Sequence, residues 1–213
     1  MYAAALFDLD GTLINTEPRS LAMWSMLLRS HGVVHDEVVL RRFMGRRGRD
    51  VLAEQAHLFP GKQIDDLIAE VFSFDDHPDL PDIVPVPGAA DLVRRVAEHG
   101  SPVAVVTSAG RDWAEARLAE VGVRALVDTL VSAQDVVVGK PDPEGFLLAA
   151  ARLSVDPAHC VAFEDSIAGI TAAKAAGMSC VGIATTHTDA ELAAADLVVA
   201  DLTGVGWPLS PRQ

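Results

Sequence analysis

Cysteine is scarce in this sequence: among 213 residues only Cys160 and Cys180 carry a thiol. Both lie in apolar runs, which predicts that they are small core residues. Two such cysteines give neither a disulfide framework nor the spacing of a zinc site. So few thiols suit a reducing compartment, and we expect a cytoplasmic protein.

The features of a membrane or nucleic-acid partner are also missing. No apolar stretch approaches the ~20 residues that span a bilayer, and the N-terminal MYAAALFD lacks the basic region of a secretory signal. The formal net charge is −13 and the pI about 4.8, which opposes binding to nucleic acid or to an anionic membrane. A small anionic substrate remains compatible, because a local site can oppose the overall field.

Apolar residues, by contrast, are abundant. They make up 50% of the chain, and the mean hydropathy is +0.25. A sizeable hydrophobic core is therefore expected. The length suits one large domain or one domain that carries an insertion, and since nothing demands a permanent oligomer we expect a monomer.

Short apolar runs alternate with helix-like segments along most of the chain. The runs lack the polar–apolar alternation of a half-exposed strand, which indicates strands buried on both faces of a parallel sheet. They are AAALF (3–7), PVAVVTS (102–108), DTLVSA (128–133), HCVAFED (159–165), CVGIATT (180–186) and DLVVAD (196–201). Strand alternating with helix predicts an α/β fold, a Rossmann-like doubly wound parallel sheet.

Residues 16–82 interrupt this alternation with sequence that is helical throughout. The segment leaves after the first strand and returns through the proline-rich HPDLPDIVPVPG. We therefore predict a helical cap domain at 16–82, inserted into a catalytic core formed by residues 1–15 and 83–213.

Polar side chains follow the predicted strands where each strand ends. In open α/β sheets, sites form beyond the carboxyl ends of the strands, so these side chains are expected to converge. They are Asp8 and Asp10 after the first strand, Thr107 and Ser108 after the second, Lys140 in the loop after the third, and Glu164 and Asp165 after the fourth.

The charges of this set predict its chemistry. Two carboxylates about 4 Å apart repel by about 4 kcal/mol at an effective dielectric of 20, so four of them need a divalent cation, and their hard oxygens suit Mg²⁺. Lys140 and Thr107 can then bind phosphoryl oxygens. A carboxylate can attack phosphorus, and a second one can move protons to the leaving alcohol and from water. Lys140 is one of only three lysines, so lysine is not the default cation of this chain.

Four segments carry a resemblance to a known family. In this order, FDLDGTL, VTSAGRD, GKPDPEGF and FEDSIAGITAAKAAG resemble the four motifs of the haloacid dehalogenase superfamily. With the helical insertion, the match covers essentially the whole chain and is closest to the β-phosphoglucomutase-like subfamily. The resemblance implies a mobile cap, Mg²⁺ and phosphoryl transfer through an aspartyl-phosphate.

The same resemblance assigns roles to the catalytic residues. It implies that Asp8 is the nucleophile and Asp10 the general acid and base. Thr107 would bind the phosphoryl group, and Lys140 would orient and neutralise it. The C-terminal half is similar to sugar and polyol phosphatases of the 2-deoxyglucose-6-phosphate and glycerol-phosphate type, so we expect a phosphatase of small phosphorylated metabolites.

The resemblance also implies the metal ligands. These are the Asp8 carboxylate, the backbone carbonyl of Asp10, the Asp165 carboxylate and Glu164. Whether Glu164 binds the metal directly or through water stays open.

Further residues are candidates for binding the substrate. Ser108 follows Thr107, and GRRGRD places Arg47 and Arg49 on a cap loop, although a solvated cap surface explains these arginines equally well. Glu17 and Arg111 lie beside core loops and are candidates for lining the pocket.

Two other functions stay in view. A β-phosphoglucomutase-like isomerase would return the phosphoryl group to the sugar, but its histidine after the first motif is Ser20 here and its cap lysine is Met44. A phosphorylatable regulatory protein would take up phosphate without turnover; such proteins more often lack a catalytic residue, and here every one is present.

Overall fold

The structure, a computed structural model, describes residues 1–43 and 48–209. Eight strands lie in these ranges: β1 Ala4–Phe7, β2 Ile14–Asn15, β3 Val84–Pro85, β4 Val103–Val106, β5 Thr129–Val131, β6 Cys160–Glu164, β7 Ser179–Ile183 and β8 Leu197–Val199. Eight α-helices accompany them: α1 Glu17–Ser30, α2 Glu37–Leu40, α3 Gly48–Glu54, α4 Ile64–Ser73, α5 Ala89–Glu98, α6 Arg111–Glu120, α7 Glu144–Leu153 and α8 Ile167–Ala175. None of these helices is both long and apolar enough to cross a bilayer.

Six of the strands form one sheet in the order β5-β4-β1-β6-β7-β8, and every neighbouring pair is parallel. Each predicted strand is present, and most are shorter than the apolar run that predicted them because the polar residues at the end of the run leave the ladder. The order reverses at β1, which pairs with β4 on one side and β6 on the other. The predicted doubly wound α/β fold is confirmed, and β1 ends at the switch point where such sheets bind ligands.

The two faces of the sheet are covered by different helices. Side chains alternate along β1, so Phe7 points into the cluster that contains apolar residues of α5 and α6. Leu6 points into the opposite cluster, with residues of α7 and α8. At the centre Phe7 stacks on Phe163, with ring centroids 4.6 Å apart. Burial on both faces explains why these strands are apolar without alternation.

Helices α1–α4 all fall between residues 16 and 82 and have a hydrophobic cluster of their own. Its fully buried members include Leu27, Leu28, Val51 and Leu52. The chain leaves the core at β2 and returns at β3, and these two strands pair antiparallel, with Asn15 opposite Val84. The outgoing and returning chain are thus held side by side. The domain limits at 15/16 and 82/83 remain a prediction.

Candidate active site

A cavity of about 290 Å³ lies beyond the carboxyl ends of β1, β4 and β6. Its wall on the sheet side includes Asp8, Asp10, Thr107 and Asp165. The opposite wall comes from α1, α4 and Phe43. The structure therefore brings together polar residues that are as far apart in sequence as positions 8 and 165.

Lys140 lies at the centre of the charged groups. Its Nζ donates to Asp8 Oδ1 at 2.5 Å, to a carboxylate oxygen of Glu164, and to the backbone carbonyl of Val106 at 2.9 Å. All three of its N–H donors therefore have acceptors. Lys140 is 8% exposed. Burial opposes the positive charge of its ammonium group, but the negative charges of Asp8 and Glu164 outweigh this effect and raise the pKa of Lys140 above the usual lysine value.

Glu164 is fully buried, and both of its carboxylate oxygens are engaged. One contacts Lys140, and the other accepts the Ser166 hydroxyl at 3.0 Å. The carboxylate lies against α8 at Gly169, where a Cβ would come within 2.0 Å of both carboxylate oxygens. Ser166 in turn caps α8 by accepting the backbone N–H of Gly169. Glu164 thus orients Lys140 and is itself positioned by the start of α8.

Asp165 packs against the first loop of the chain. A Cβ at Gly11 would lie 2.0 Å from Asp165 Oδ2, so there is no space for a side chain. The backbone of Gly11, with φ +89°, also disfavours any residue other than glycine. The Thr186 hydroxyl donates to the same oxygen, and His187 Nδ1 lies 3.1 Å from the Asp165 backbone carbonyl. The carboxylate is therefore fixed from both sides.

Asp8, Glu164 and Asp165 offer carboxylate oxygens that lie within 4.8 Å of one another. Burial raises the pKa of Asp8 well above the usual range; Lys140 opposes this rise, and Glu164 adds to it. Burial, with Asp8 and Glu164, likewise raises the pKa of Asp165. The single positive charge of Lys140 does not neutralise these three carboxylates. Their oxygens are hard ligands, so the residues fit a divalent cation.

Asp10 lies two residues beyond Asp8 and has partners that the sequence did not indicate. Its Oδ1 accepts the Thr16 hydroxyl at 2.9 Å and the Trp113 indole N–H at 3.4 Å. Burial raises the pKa of Asp10, and these two hydrogen bonds oppose the rise. Thr16 precedes α1 and Trp113 lies in α6, so Asp10 is held by both the start of the helical segment and the core.

Thr107 and Ser108 follow β4 and line the cavity. Thr107 is buried; its backbone N–H donates to Val131 O, and its Oγ1 accepts the backbone N–H of Ala109 at 3.0 Å. Because that hydroxyl accepts from the chain, its own proton can be donated to a ligand. Ser108 is half-buried beside it.

Of the remaining candidates for substrate binding that the structure describes, one lines the cavity and two do not. Glu17 is buried on the cavity wall. Arg49 is paired with Asp65 and Arg111 with Asp135 (2.6 Å), and neither arginine is among the described residues that line the cavity. Both guanidinium groups pair with acidic neighbours in this structure, and the role of the two arginines in substrate binding stays a prediction. Arg47 lies outside the described residues, as does Met44.

Comparisons with known proteins agree with this geometry. The family model of haloacid dehalogenase-like hydrolases matches residues 2–177. Validoxylamine A 7'-phosphate phosphatase of Streptomyces hygroscopicus subsp. limoneus is 47% identical over 98% of this chain and 98% of its own. Hexitol phosphatase A of Escherichia coli K12 is 34% identical over 97% of this chain and 94% of its own. The crystal structure of CbbY from Rhodobacter sphaeroides in complex with phosphate superposes with a TM-score of 0.81 at 27% identity and covers 97% of each chain.

Proposed function

The chain belongs to the haloacid dehalogenase-like hydrolases, and from this membership and the site we propose that it is a Mg²⁺-dependent phosphatase of sugar or polyol monophosphates. One observation carries the proposal. The Asp8 carboxylate lies in contact with Lys140, beside Glu164 and Asp165, on the wall of a cavity large enough for a small metabolite. The residues that we propose as nucleophile, neutralising cation and metal ligands therefore lie close together, which supports the proposal.

The metal would be held by Asp8, Asp165 and the backbone carbonyl of Asp10, with Glu164 as a further ligand directly or through water. The all-oxygen donor set favours Mg²⁺. When bound, the cation supplies charge neutralisation and polarises phosphoryl oxygens. The contacts of Glu164 with Lys140 and Ser166 favour the role through water, because both of its oxygens already accept hydrogen bonds.

In the first chemical step Asp8 acts as nucleophile. One carboxylate oxygen forms a bond to phosphorus, and the bond from phosphorus to the alcohol oxygen breaks. Lys140 and the Thr107 hydroxyl stabilise the negative charge on the phosphoryl oxygens. Asp10 gives its proton to the departing alcohol; burial favours the protonated form from which it does so.

The second step reverses the role of Asp10. Now deprotonated, it takes a proton from water, whose oxygen attacks phosphorus and releases phosphate and free Asp8. The Thr16 and Trp113 hydrogen bonds hold the Asp10 carboxylate beside the nucleophile between the two steps. The two half-reactions sum to hydrolysis of a phosphate monoester.

The substrate class rests on the relatives. Two that cover nearly the full chain are named as phosphatases of a validoxylamine phosphate and of hexitols, which supports a phosphorylated sugar-like or polyol substrate. The isomerase alternative has less support, since Ser20 lines the cavity where that subfamily has a histidine. We propose that the protein acts as a monomer.

Release of phosphate from p-nitrophenyl phosphate and from a panel of sugar and polyol phosphates tests the proposal. We expect steady turnover with Mg²⁺, none after chelation, and recovery when Mg²⁺ is restored. Asp8→Asn should keep the fold but lose more than 99% of the activity, a change of about 3 kcal/mol or more. Full activity after chelation, or substantial activity of Asp8→Asn, would refute the mechanism. Interconversion of sugar phosphates without released phosphate would identify the isomerase.

A further inference from the structure

The cavity has two chemically different walls. The sheet side carries the carboxylates and hydroxyls described above. On the other side, one face of α4 contributes Ile68, Val71 and Phe72, at the i, i+3, i+4 spacing of a helix stripe. Met23 and Trp24 of α1 and Phe43 complete this surface. We call these six side chains the apolar wall.

Part of the apolar wall is not needed for the hydrophobic cluster of the cap. Leu67 and Val71 of α4 are buried in that cluster, at 2% and 6% exposure. Phe72 does not belong to that cluster and is 63% exposed. It lines the cavity together with Trp24 and Phe43, which belong to the cap cluster and whose rings lie 4.8 Å apart. An exposed aromatic side chain that lines a cavity beside other apolar side chains can contact a ligand bound there.

Two charged residues that line the cavity near the apolar wall, Arg19 and Asp75, are already engaged with each other. Arg19 donates to the Asp75 carboxylate and to the Pro81 carbonyl, both at 3.0 Å, and also to the Asp75 backbone carbonyl. Among the described side chains that line this part of the cavity, the arginine and the aspartate therefore bind each other. A substrate hydroxyl packed directly against the six apolar side chains would lose its hydrogen bonds to water without gaining new ones from them, whereas Ser20, one turn before Met23 and Trp24, offers a hydroxyl at the edge of the apolar wall.

Ring and open-chain alcohols differ in how they meet such a surface. A six-membered ring carries its hydroxyls around its rim and presents faces made of C–H groups. An open-chain polyol carries a hydroxyl on nearly every carbon and has no side free of them. The first can cover an apolar wall while its hydroxyls face the polar side of the cavity.

We propose that the apolar wall is a subsite for the C–H face of a ring, so that the preferred substrates are phosphate monoesters of cyclic alcohols (cyclitols or ring-closed sugars), with Phe72 as a residue that determines this preference. This inference rests on the proposed phosphatase activity and narrows it. The two phosphatase relatives named above do not decide the point, because one is named for a hexitol.

The matched substrates are glucose 6-phosphate and sorbitol 6-phosphate. Both carry the phosphate on a primary alcohol of a six-carbon chain; glucose closes into a ring through its C1 hemiacetal, whereas sorbitol, reduced at C1, stays open. We expect kcat/KM to be about tenfold higher for the ring ester, mainly through a lower KM. Cyclohexylmethyl phosphate, a ring without hydroxyls, should also be hydrolysed.

Variants assign the preference to the wall. Phe72→Ser should bring the ratio of the two kcat/KM values close to one, and Phe72→Leu should restore part of it by returning apolar area. Val38→Ser is the matched control, since Val38 is an exposed apolar residue of α2 (65%) that does not line the cavity. It should leave the ratio unchanged.

The outcomes separate the two proposals. If p-nitrophenyl phosphate and every other ester stay intact with Mg²⁺, the phosphatase proposal fails. If esters are hydrolysed but sorbitol 6-phosphate is used as well as glucose 6-phosphate, or Phe72→Ser leaves the ratio unchanged, the ring subsite fails. Binding of the two esters to Asp8→Asn, followed by tryptophan fluorescence, measures the ring preference without turnover, and equal affinities would also overturn it.

Discussion

Replacing Gly169 by alanine is the sharpest test of how the site is supported. Gly169 lies in the first turn of α8, and a Cβ there would lie 1.9 Å from Cδ of Glu164 and 2.0 Å from both of its carboxylate oxygens. Glu164 is fully buried, so its carboxylate cannot swing into water. The substitution must displace either α8 or the carboxylate that contacts Lys140.

The expected cost follows from these contacts. Overpacking a buried site costs about 1–3 kcal/mol, and loss of part of a buried ion pair adds about 2 kcal/mol. Alanine in place of glycine in a helix gives back about 1 kcal/mol. We expect Gly169→Ala to lower the free energy of unfolding by about 3 kcal/mol, or the melting temperature by about 10 °C for a chain of this size. Because Lys140 loses its fixed position, kcat should fall by about 100-fold.

A double-mutant cycle decides whether Glu164 is the cause. In a Glu164→Ala chain the carboxylate is gone, so the added methyl group has space and only the helix preference remains. There Gly169→Ala should stabilise the protein by about 0.5–1 kcal/mol. Thermal unfolding of the four proteins measures the cycle. Equal destabilisation by Gly169→Ala in both backgrounds would refute the reasoning, since the clash would then involve another group.

Two further predictions concern other carboxylates. Asp10→Asn should let phosphoenzyme accumulate in a rapid-quench experiment but slow its hydrolysis, because an amide cannot take the proton from water; dephosphorylation at the normal rate would contradict this role. Asp135 accepts Ser132 N–H and Oγ–H and pairs with Arg152 and Arg111. Burial opposes its charge, but these partners prevail and lower its pKa well below the usual range. Its stabilisation should therefore be complete above about pH 5 and be lost as the pH falls below about 4. Asp135→Asn should cost about 2 kcal/mol at pH 7, and this difference should shrink steadily as the pH falls from about 4 towards 2 in denaturant unfolding; a pH-independent difference would count against this account.

The strands and the polar residues at their ends were predictable because the relevant forces are local. A strand buried on both faces needs a run of apolar residues, and a loop at the edge of the sheet needs polar ones. Asp8, Asp10, Thr107, Lys140, Glu164 and Asp165 were therefore visible as a set before any geometry. The β2–β3 ribbon was not, because each strand has only two residues and depends on a partner about 70 residues away.

The partners of individual side chains could not be predicted either. Nothing near Trp113 in the sequence indicates that its indole N–H reaches Asp10. Arg49 and Arg111 were predicted to bind the substrate, and the sequence did not show that Asp65 and Asp135 lie within reach of them. A long side chain can reach several hydrogen-bond acceptors, and the tertiary packing determines which of them it contacts.

The order of apolar runs and the acidic motifs determined, by themselves, an α/β phosphotransfer scaffold with a helical insertion, because hydrophobic burial and the need of clustered carboxylates for a cation act on residue types. Tertiary structure alone decided which oxygens Lys140 contacts, that Gly169 makes room for Glu164, and that the apolar wall lines the same cavity as Asp8 and Asp10. These features depend on distances between residues far apart in the chain, and distances of a few ångströms decide whether two groups attract, clash or never meet.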